Sequence, residues 1–320
     1  MADMHLLNIK EWGSEPTRKG FGRGLVKAGE KYEQIVALCA DLTGSVQIEP
    51  FAVKFPERYV EVGIAEQNLV TVASGMAHQG KIPFTASYAA FSPGRNWEQI
   101  KTTAALNDMP VKIVGAHAGL YTGPDGATHQ MLEDVSLMRT MPNMVVIVPG
   151  DSVEAEKATI AMAVDKRPNY LRLARDSTPV FTTEKTPFEI GKAYVFSPGK
   201  DLTIVTNGTM TSVALEAAEK LFHDGIDVEV IHCPTVKPLD SATILTSVKK
   251  TRKVLTLEEA QINGGLGSAV CELLSEHDPV PVIRMGMKDT YGQTGTPEEL
   301  FEHYGLTVKH VMMKCHDLAG

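Results

Sequence analysis

Short continuous apolar runs alternate along this chain with stretches of helical spacing. The runs fall at residues 34–40, 59–62, 82–86, 111–117, 145–149 and 169–173. Runs without polar alternation are what strands covered on both faces look like. Helical spacing occupies 21–32, the stretch from Glu66 onward, 97–106 and 153–164. Strand alternating with helix predicts a parallel, doubly wound α/β sheet. At 182–187 turn residues replace the periodic ones. Beyond them, strands at 201–208, 228–232, 253–257 and 282–285 with a helix at 210–222 predict a second, smaller α/β unit. The expected organisation is a polar lead-in at 1–15, a first domain at 16–181, a linker at 182–200 and a second domain at 201–320.

A length of 320 residues suits two domains, and an apolar fraction of 43% supplies the cores. No twenty-residue apolar span and no charged-then-apolar leader at residues 1–5 is present, so neither a membrane helix nor a secretory signal is expected. The chain reads as cytoplasmic. Cys39, Cys233, Cys271 and Cys315 are scattered without metal-site spacing, which favours reduced structural thiols. The net charge of -8 argues against a nucleic-acid surface and leaves room for a local basic site that meets a phosphorylated metabolite.

The most informative stretch is Glu61-Val62-Gly63-Ile64-Ala65-Glu66-Gln67-Asn68. It places Glu66 near a helix N-terminus, beside apolar residues. Alone, such a glutamate reads first as a residue favoured by the helix dipole, and second as a catalytic carboxylate. Asp41 closes the 34–40 run, where open α/β sheets place ligands. His117 and His129 flank a glycine-rich loop, a place where histidine serves as acid and base. The 258–267 segment follows a strand and precedes a helix, but its glycines lack dinucleotide spacing, so a tight strand-to-helix turn is the preferred reading.

Five segments then stand in register: Ala40-Asp41-Leu42-Thr43-Gly44-Ser45, the Glu66 stretch, Pro83 through Phe91, Gly123 through Gln130, and Leu173-Ala174-Arg175. In order and spacing they resemble the transketolases, over the carboxyl-terminal two-thirds of an ordinary member. The resemblance implies a pyrimidine-binding domain followed by a smaller transketolase C-terminal domain, and thiamine diphosphate as cofactor. Glu66 would hydrogen-bond the aminopyrimidine ring nitrogen, and Tyr88 and Phe91 would form the aromatic wall beside it. Three residues beyond Phe91, where transketolases tend to carry a further aromatic, stands Gly94. Asp41 would hold the thiazolium side or a neighbouring loop, or cap a turn. His129 would assist proton transfer at the substrate, and His117 would meet the sugar phosphate, although the family's Thr-His-Asp is Ala116-His117-Ala118 here. Asp125 would read a substrate hydroxyl, or simply precede Gly126 in a turn. Arg18, Ser45 and Arg175 map to the phosphate end, where an arginine fork suits a phosphate.

The Gly-Asp-Gly segment through which such enzymes bind magnesium and the diphosphate occurs nowhere in the chain. No metal ligands are therefore expected on this chain. A separate N-terminal subunit carrying that motif would complete the site, in a heterotetramer of two plus two. The expected activity is two-carbon ketol transfer from a ketose phosphate to an aldose phosphate, in the pentose phosphate pathway. The alternatives are half of a 1-deoxyxylulose 5-phosphate synthase-like enzyme, the beta subunit of a 2-oxoacid dehydrogenase, or a non-catalytic scaffolding paralogue.

Overall fold

The computed structural model describes residues 4–320; Met1–Asp3, part of the expected lead-in, lie outside the described residues. The strands, in chain order, are β1 (Gly13–Glu15), β2 (Ile35–Cys39), β3 (Tyr59–Glu61), β4 (Ile82–Tyr88), β5 (Lys112–Ala116), β6 (Val145–Ile147), β7 (Asn169–Arg172) and β8 (Thr178–Val180), then β9 (Tyr194–Ser197), β10 (Leu202–Thr206), β11 (Val228–His232), β12 (Thr235–Lys237), β13 (Val254–Gln261) and β14 (Val282–Met287). They form two larger sheets, ordered β12-β6-β7-β5-β4-β2-β3 and β14-β13-β10-β11-β9.

Period-two packing explains the first sheet. Ile35, Ala37 and Cys39 of β2 join Phe21, Phe84 and Leu171 in one core. Val36 and Leu38 point the other way, into a core with Leu69, Ile113 and Tyr170. Both faces are covered, which is why β2 reads as an unbroken apolar run. Each fully buried Leu or Ile contributes about 1.5–3 kcal/mol of burial. On one face the Thr17–Lys31 helix packs against the Ser152–Met162 helix. The contact needs glycine at residue 20, where a Cβ would lie 1.8 Å from the Ser152 carbonyl oxygen.

Four features depart from the expected pattern. Each larger sheet ends in an antiparallel edge, with β12 pairing β6 and β9 pairing β11. β12 comes from beyond residue 200 yet joins the first sheet; at three residues it is too short to leave a periodic signal. The expected helix at 97–106 is a single α-turn, Trp97–Gln99, that widens into a π-helical stretch at Ile100–Ala105. The lead-in is packed: Leu7 N donates to the Phe181 carbonyl at 2.9 Å, and β1 pairs antiparallel with β8.

The two halves meet through a buried polar tie. Arg172 Nε donates to Asp134 Oδ2 at 3.0 Å, Arg172 Nη2 donates to the Glu259 carbonyl at 2.8 Å, and Tyr170 OH donates to Asp134 Oδ2 at 2.7 Å. Among the described residues, no helix is long and apolar enough to cross a membrane.

Candidate active site

The carboxyl ends of β2, β3, β4, β5 and β7 carry most of the residues singled out in the sequence. Glu66 opens the Glu66–His78 helix and is only 5% exposed. Its Oε1 accepts from Arg95 Nη1 at 3.2 Å, and its backbone carbonyl accepts from Asn96 Nδ2 at 2.8 Å. Among the described residues no hydrogen bond reaches Glu66 Oε2. The Arg95 guanidinium carbon lies 3.9 Å from the centroid of the Phe91 ring.

From Phe91 a line of rings continues. Tyr88 stacks near Phe91 with centroids 5.7 Å apart, and His129 meets the Phe91 ring edge-on at 5.4 Å. Tyr88 also stacks on His117 at 3.8 Å. His129 Nδ1 pairs with Thr128 Oγ1 at 2.8 Å. His117 leaves the end of β5 with φ of 55°, a left-handed conformation uncommon outside glycine and frequent at functional positions. Thr122 Oγ1 fastens it by donating to its carbonyl at 2.7 Å.

Beyond His117 lies the basic end. Arg18 Nη1 donates to the Ser45 carbonyl at 2.6 Å and Arg18 Nε donates to the Arg175 carbonyl at 3.0 Å. Arg175 is loosely paired, with Asp176 at 3.4 Å and Asp125 at 3.9 Å. Burial, followed by the nearby cations of Arg18 and Arg175 and by His129, drives the His117 pKa down to about 3. The ring is thus neutral at physiological pH, and its buried Nδ1 has no partner. Arginines around a neutral imidazole with an unused polar atom are what an anion-binding corner needs.

Asp41 and Ser45 stand at the margin. Asp41 is exposed with φ of 58°, and its N–H donates to Glu61 Oε1 at 2.8 Å. Ser45 meets Arg18 through its carbonyl.

Several organising residues escaped the sequence reading. Glu61 gathers the N–H groups of Asp41 and Gly63 and the Tyr59 hydroxyl, each at 2.8 Å, and these bonds outweigh burial and hold its carboxyl below the usual range. Gln130, 3% exposed, donates Nε2–H to the carbonyls of Gly123 and Gln293, both at 2.9 Å, and so ties the His129 loop to the second unit. Arg95 and Asn96 follow Gly94 directly, and the missing aromatic there was the available signal. The 258–267 segment is a strand-to-helix turn. The Leu266 and Gly267 N–H groups are taken by Glu258 at 2.8 Å, leaving that helix start occupied by the chain's own carboxylate.

The chemical components fit the pyrimidine half of thiamine diphosphate: a buried carboxylate with one oxygen unengaged, next to an aromatic wall. Among the described residues no three or more of His, Cys, Asp and Glu are grouped so as to hold a metal ion. A groove of about 650 Å³ lies on the five-stranded unit, between Lys200, Phe222 and Lys250, and none of the residues above lines it.

Comparison with known proteins identifies the family. Residues 15–180 match the transketolase pyrimidine-binding domain and residues 191–311 match the transketolase C-terminal domain. A putative transketolase C-terminal section of Methanocaldococcus jannaschii is 42% identical over 293 residues, covering 90% of this chain and 92% of that protein. A 6-deoxy-6-sulfo-D-fructose transketolase subunit of Clostridium sp. strain MSTE9 is 40% identical, covering 92% of this chain and 91% of the relative. Among solved structures, a split gene transketolase, described as an inactive β4 tetramer, superposes with a TM-score of 0.89 at 41% identity, over 95% of this chain and 98% of that one. The chain belongs to the transketolase family and corresponds to the carboxyl-terminal subunit of a split transketolase.

Proposed function

We propose that this chain is the carboxyl-terminal half of a thiamine diphosphate enzyme that moves a two-carbon ketol unit from a ketose phosphate to an aldose phosphate. The observation that carries the reading is the run of contacts from Glu66 through Arg95, Phe91, His129 and Tyr88 to His117, whose electrostatics are shaped by Arg18 and Arg175. It presents a carboxylate, an aromatic wall, acid–base groups and an anion corner in the order such a reaction needs.

When bound, thiamine diphosphate supplies a nucleophilic carbon for the ketose carbonyl. In this reading Glu66 orients and polarises the pyrimidine through Oε2 while Arg95 keeps Oε1. Tyr88 and Phe91 would supply the aromatic wall for the pyrimidine and exclude water. His129, on a loop fixed by Gln130, exchanges a proton with the substrate oxygen. Arg18, His117 and Arg175 hold the phosphate, with the Ser45 carbonyl aligning Arg18 and Asp125 reading a hydroxyl. Asp41 shapes the turn next to the thiazolium side.

We assign magnesium and the diphosphate to an N-terminal transketolase subunit with a Gly-Asp-Gly segment, assembled two plus two. Ile64, 74% exposed two residues before Glu66, suits a surface covered by that partner. The related split transketolase described as an inactive β4 tetramer supports an incomplete site in chains of this type. The chain is proposed to act in the cytoplasm, without nucleic acid or membrane. One relative is named for a sulfonated ketose, whose terminal group is also anionic, so donor choice belongs in the assay.

The test combines this chain, a Gly-Asp-Gly-bearing subunit, magnesium and thiamine diphosphate. Xylulose 5-phosphate or 6-deoxy-6-sulfofructose is offered with ribose 5-phosphate. Ketol transfer only when both chains are present supports the reading; no transfer from either donor contradicts it.

A further inference from the structure

We propose that Arg95 is a positioning residue of this site, one that pins a single oxygen of Glu66 from its place over the Phe91 ring. The proposal rests on the thiamine reading above.

A side chain at residue 94 has no room, because a Cβ there would lie 2.1 Å from the Ala90 carbonyl oxygen. The chain turns tightly instead: Gly94 N donates to the Ala89 carbonyl at 3.1 Å and Arg95 N to the Phe91 carbonyl at 2.9 Å. That turn carries the next residue back over Phe91, where the guanidinium carbon lies 3.9 Å from the ring centroid. Stacking of a planar cation on a ring is favourable, and arginine performs it better than lysine.

The same guanidinium donates to Glu66 Oε1 at 3.2 Å. The exposures of the partners are unequal: the Arg95 side chain is 51% exposed and that of Glu66 6%. The cation therefore reaches in from water, with little desolvation cost of its own, to a carboxylate that is almost enclosed. Residue 96 completes the hold. Asn96, fully buried, donates Nδ2–H to the Glu66 carbonyl at 2.8 Å and to Ser92 Oγ at 3.2 Å. Adjacent residues thus fix both the backbone and the side chain of Glu66, and only Oε2 stays available to a ring nitrogen.

Lysine keeps the charge of residue 95 but cannot lie flat on Phe91 and bridge to Glu66 together. That difference separates positioning from simple charge. The experiment uses the full chain assembled with the Gly-Asp-Gly-bearing subunit. Thiamine diphosphate affinity is read by calorimetry, and kcat and KM for the ketose phosphate are read separately. Arg95→Ala is expected to weaken thiamine diphosphate binding about tenfold and to lower kcat with little change in KM. Arg95→Lys is expected to recover part of kcat and little of the affinity. The kcat losses of Arg95→Ala and Glu66→Gln should be less than additive in the double variant. Melting temperatures close to the wild type in both Arg95 variants are expected, since the side chain is half exposed. Wild-type affinity and kcat in Arg95→Ala, or fully additive losses, would overturn the proposal and leave the thiamine reading intact. A wild-type assembly that binds no thiamine diphosphate would overturn both.

Discussion

Arg18 donates its Nε–H to the backbone carbonyl of Arg175 at 3.0 Å, which ties Arg18 to the segment that follows β7. Burial first, and the charge of Arg175 next, lower the Arg18 pKa, which marks a corner short of negative charge. An anionic group on the substrate relieves that imbalance. Arg18→Met and Arg175→Met are each expected to raise KM for a phosphorylated ketose by about 10–100-fold, the size of a lost charge-assisted contact, with a smaller effect on kcat. Steady-state kinetics on the assembled enzyme check this, and a fall confined to kcat would count against an anion corner.

His117 responds to the same charges, and its titration gives a signed prediction. Its folded pKa, about 3, lies below the value of 6.5 for an unperturbed histidine. The unfolded chain therefore binds more protons between those values, and stability rises with pH across the window. The contribution is complete above about 6.5 and is lost as pH falls toward 3. In His117→Phe the denaturation midpoint is expected to climb less steeply between pH 4 and 6.5 than in the wild type. Inorganic phosphate bound beside Arg18 is expected to raise the His117 pKa, an effect visible in ring proton shifts.

Much of the fold is legible in the sequence. The core strands announced themselves because a strand covered on both faces, such as Ile35–Cys39, has no polar alternation to confuse with a loop. Glu66, Phe91, His129 and His117 lie on four separate segments, and only their order and spacing brought them into one site on paper. What stayed hidden depends on contacts at long range. Thr235–Lys237 is too brief to announce a strand, and its place beside β6 is decided by packing. The role of Gln130 depends on a carbonyl 163 residues away. Arg95 was obscured by the glycine before it, which looked like a lost aromatic and proved to be the turn that places the arginine.

The second unit holds the loop that carries His129. Besides the Gln130 contacts, Tyr121 N donates to the buried Glu259 Oε1 at 2.9 Å and the Tyr121 ring packs on Phe301 at 4.9 Å. Gln130→Ala removes two hydrogen bonds to buried or partly buried carbonyls and is expected to cost about 1–3 kcal/mol in stability. Faster amide hydrogen exchange over residues 120–130 is expected alongside, and an unchanged exchange rate there would deny the coupling.

The Asp134–Arg172 pair is a stronger tie, because both side chains are nearly water-free. Arg172→Met leaves the Asp134 carboxylate unpaired in the interior and is expected to destabilise the chain by about 3–5 kcal/mol. Urea denaturation measures it; a loss below about 1 kcal/mol, the scale of an exposed pair, would contradict this reading.

Glu66 is the residue on which the proposed catalysis most depends. The deciding measurement is turnover of the two-chain assembly carrying Glu66→Ala, taken with its melting temperature and its subunit composition. The prediction is an assembly that forms and melts as the wild type does while ketol transfer falls by about 10²–10⁴-fold, the scale of a lost acid–base group. Wild-type turnover in that variant would contradict the mechanism outright.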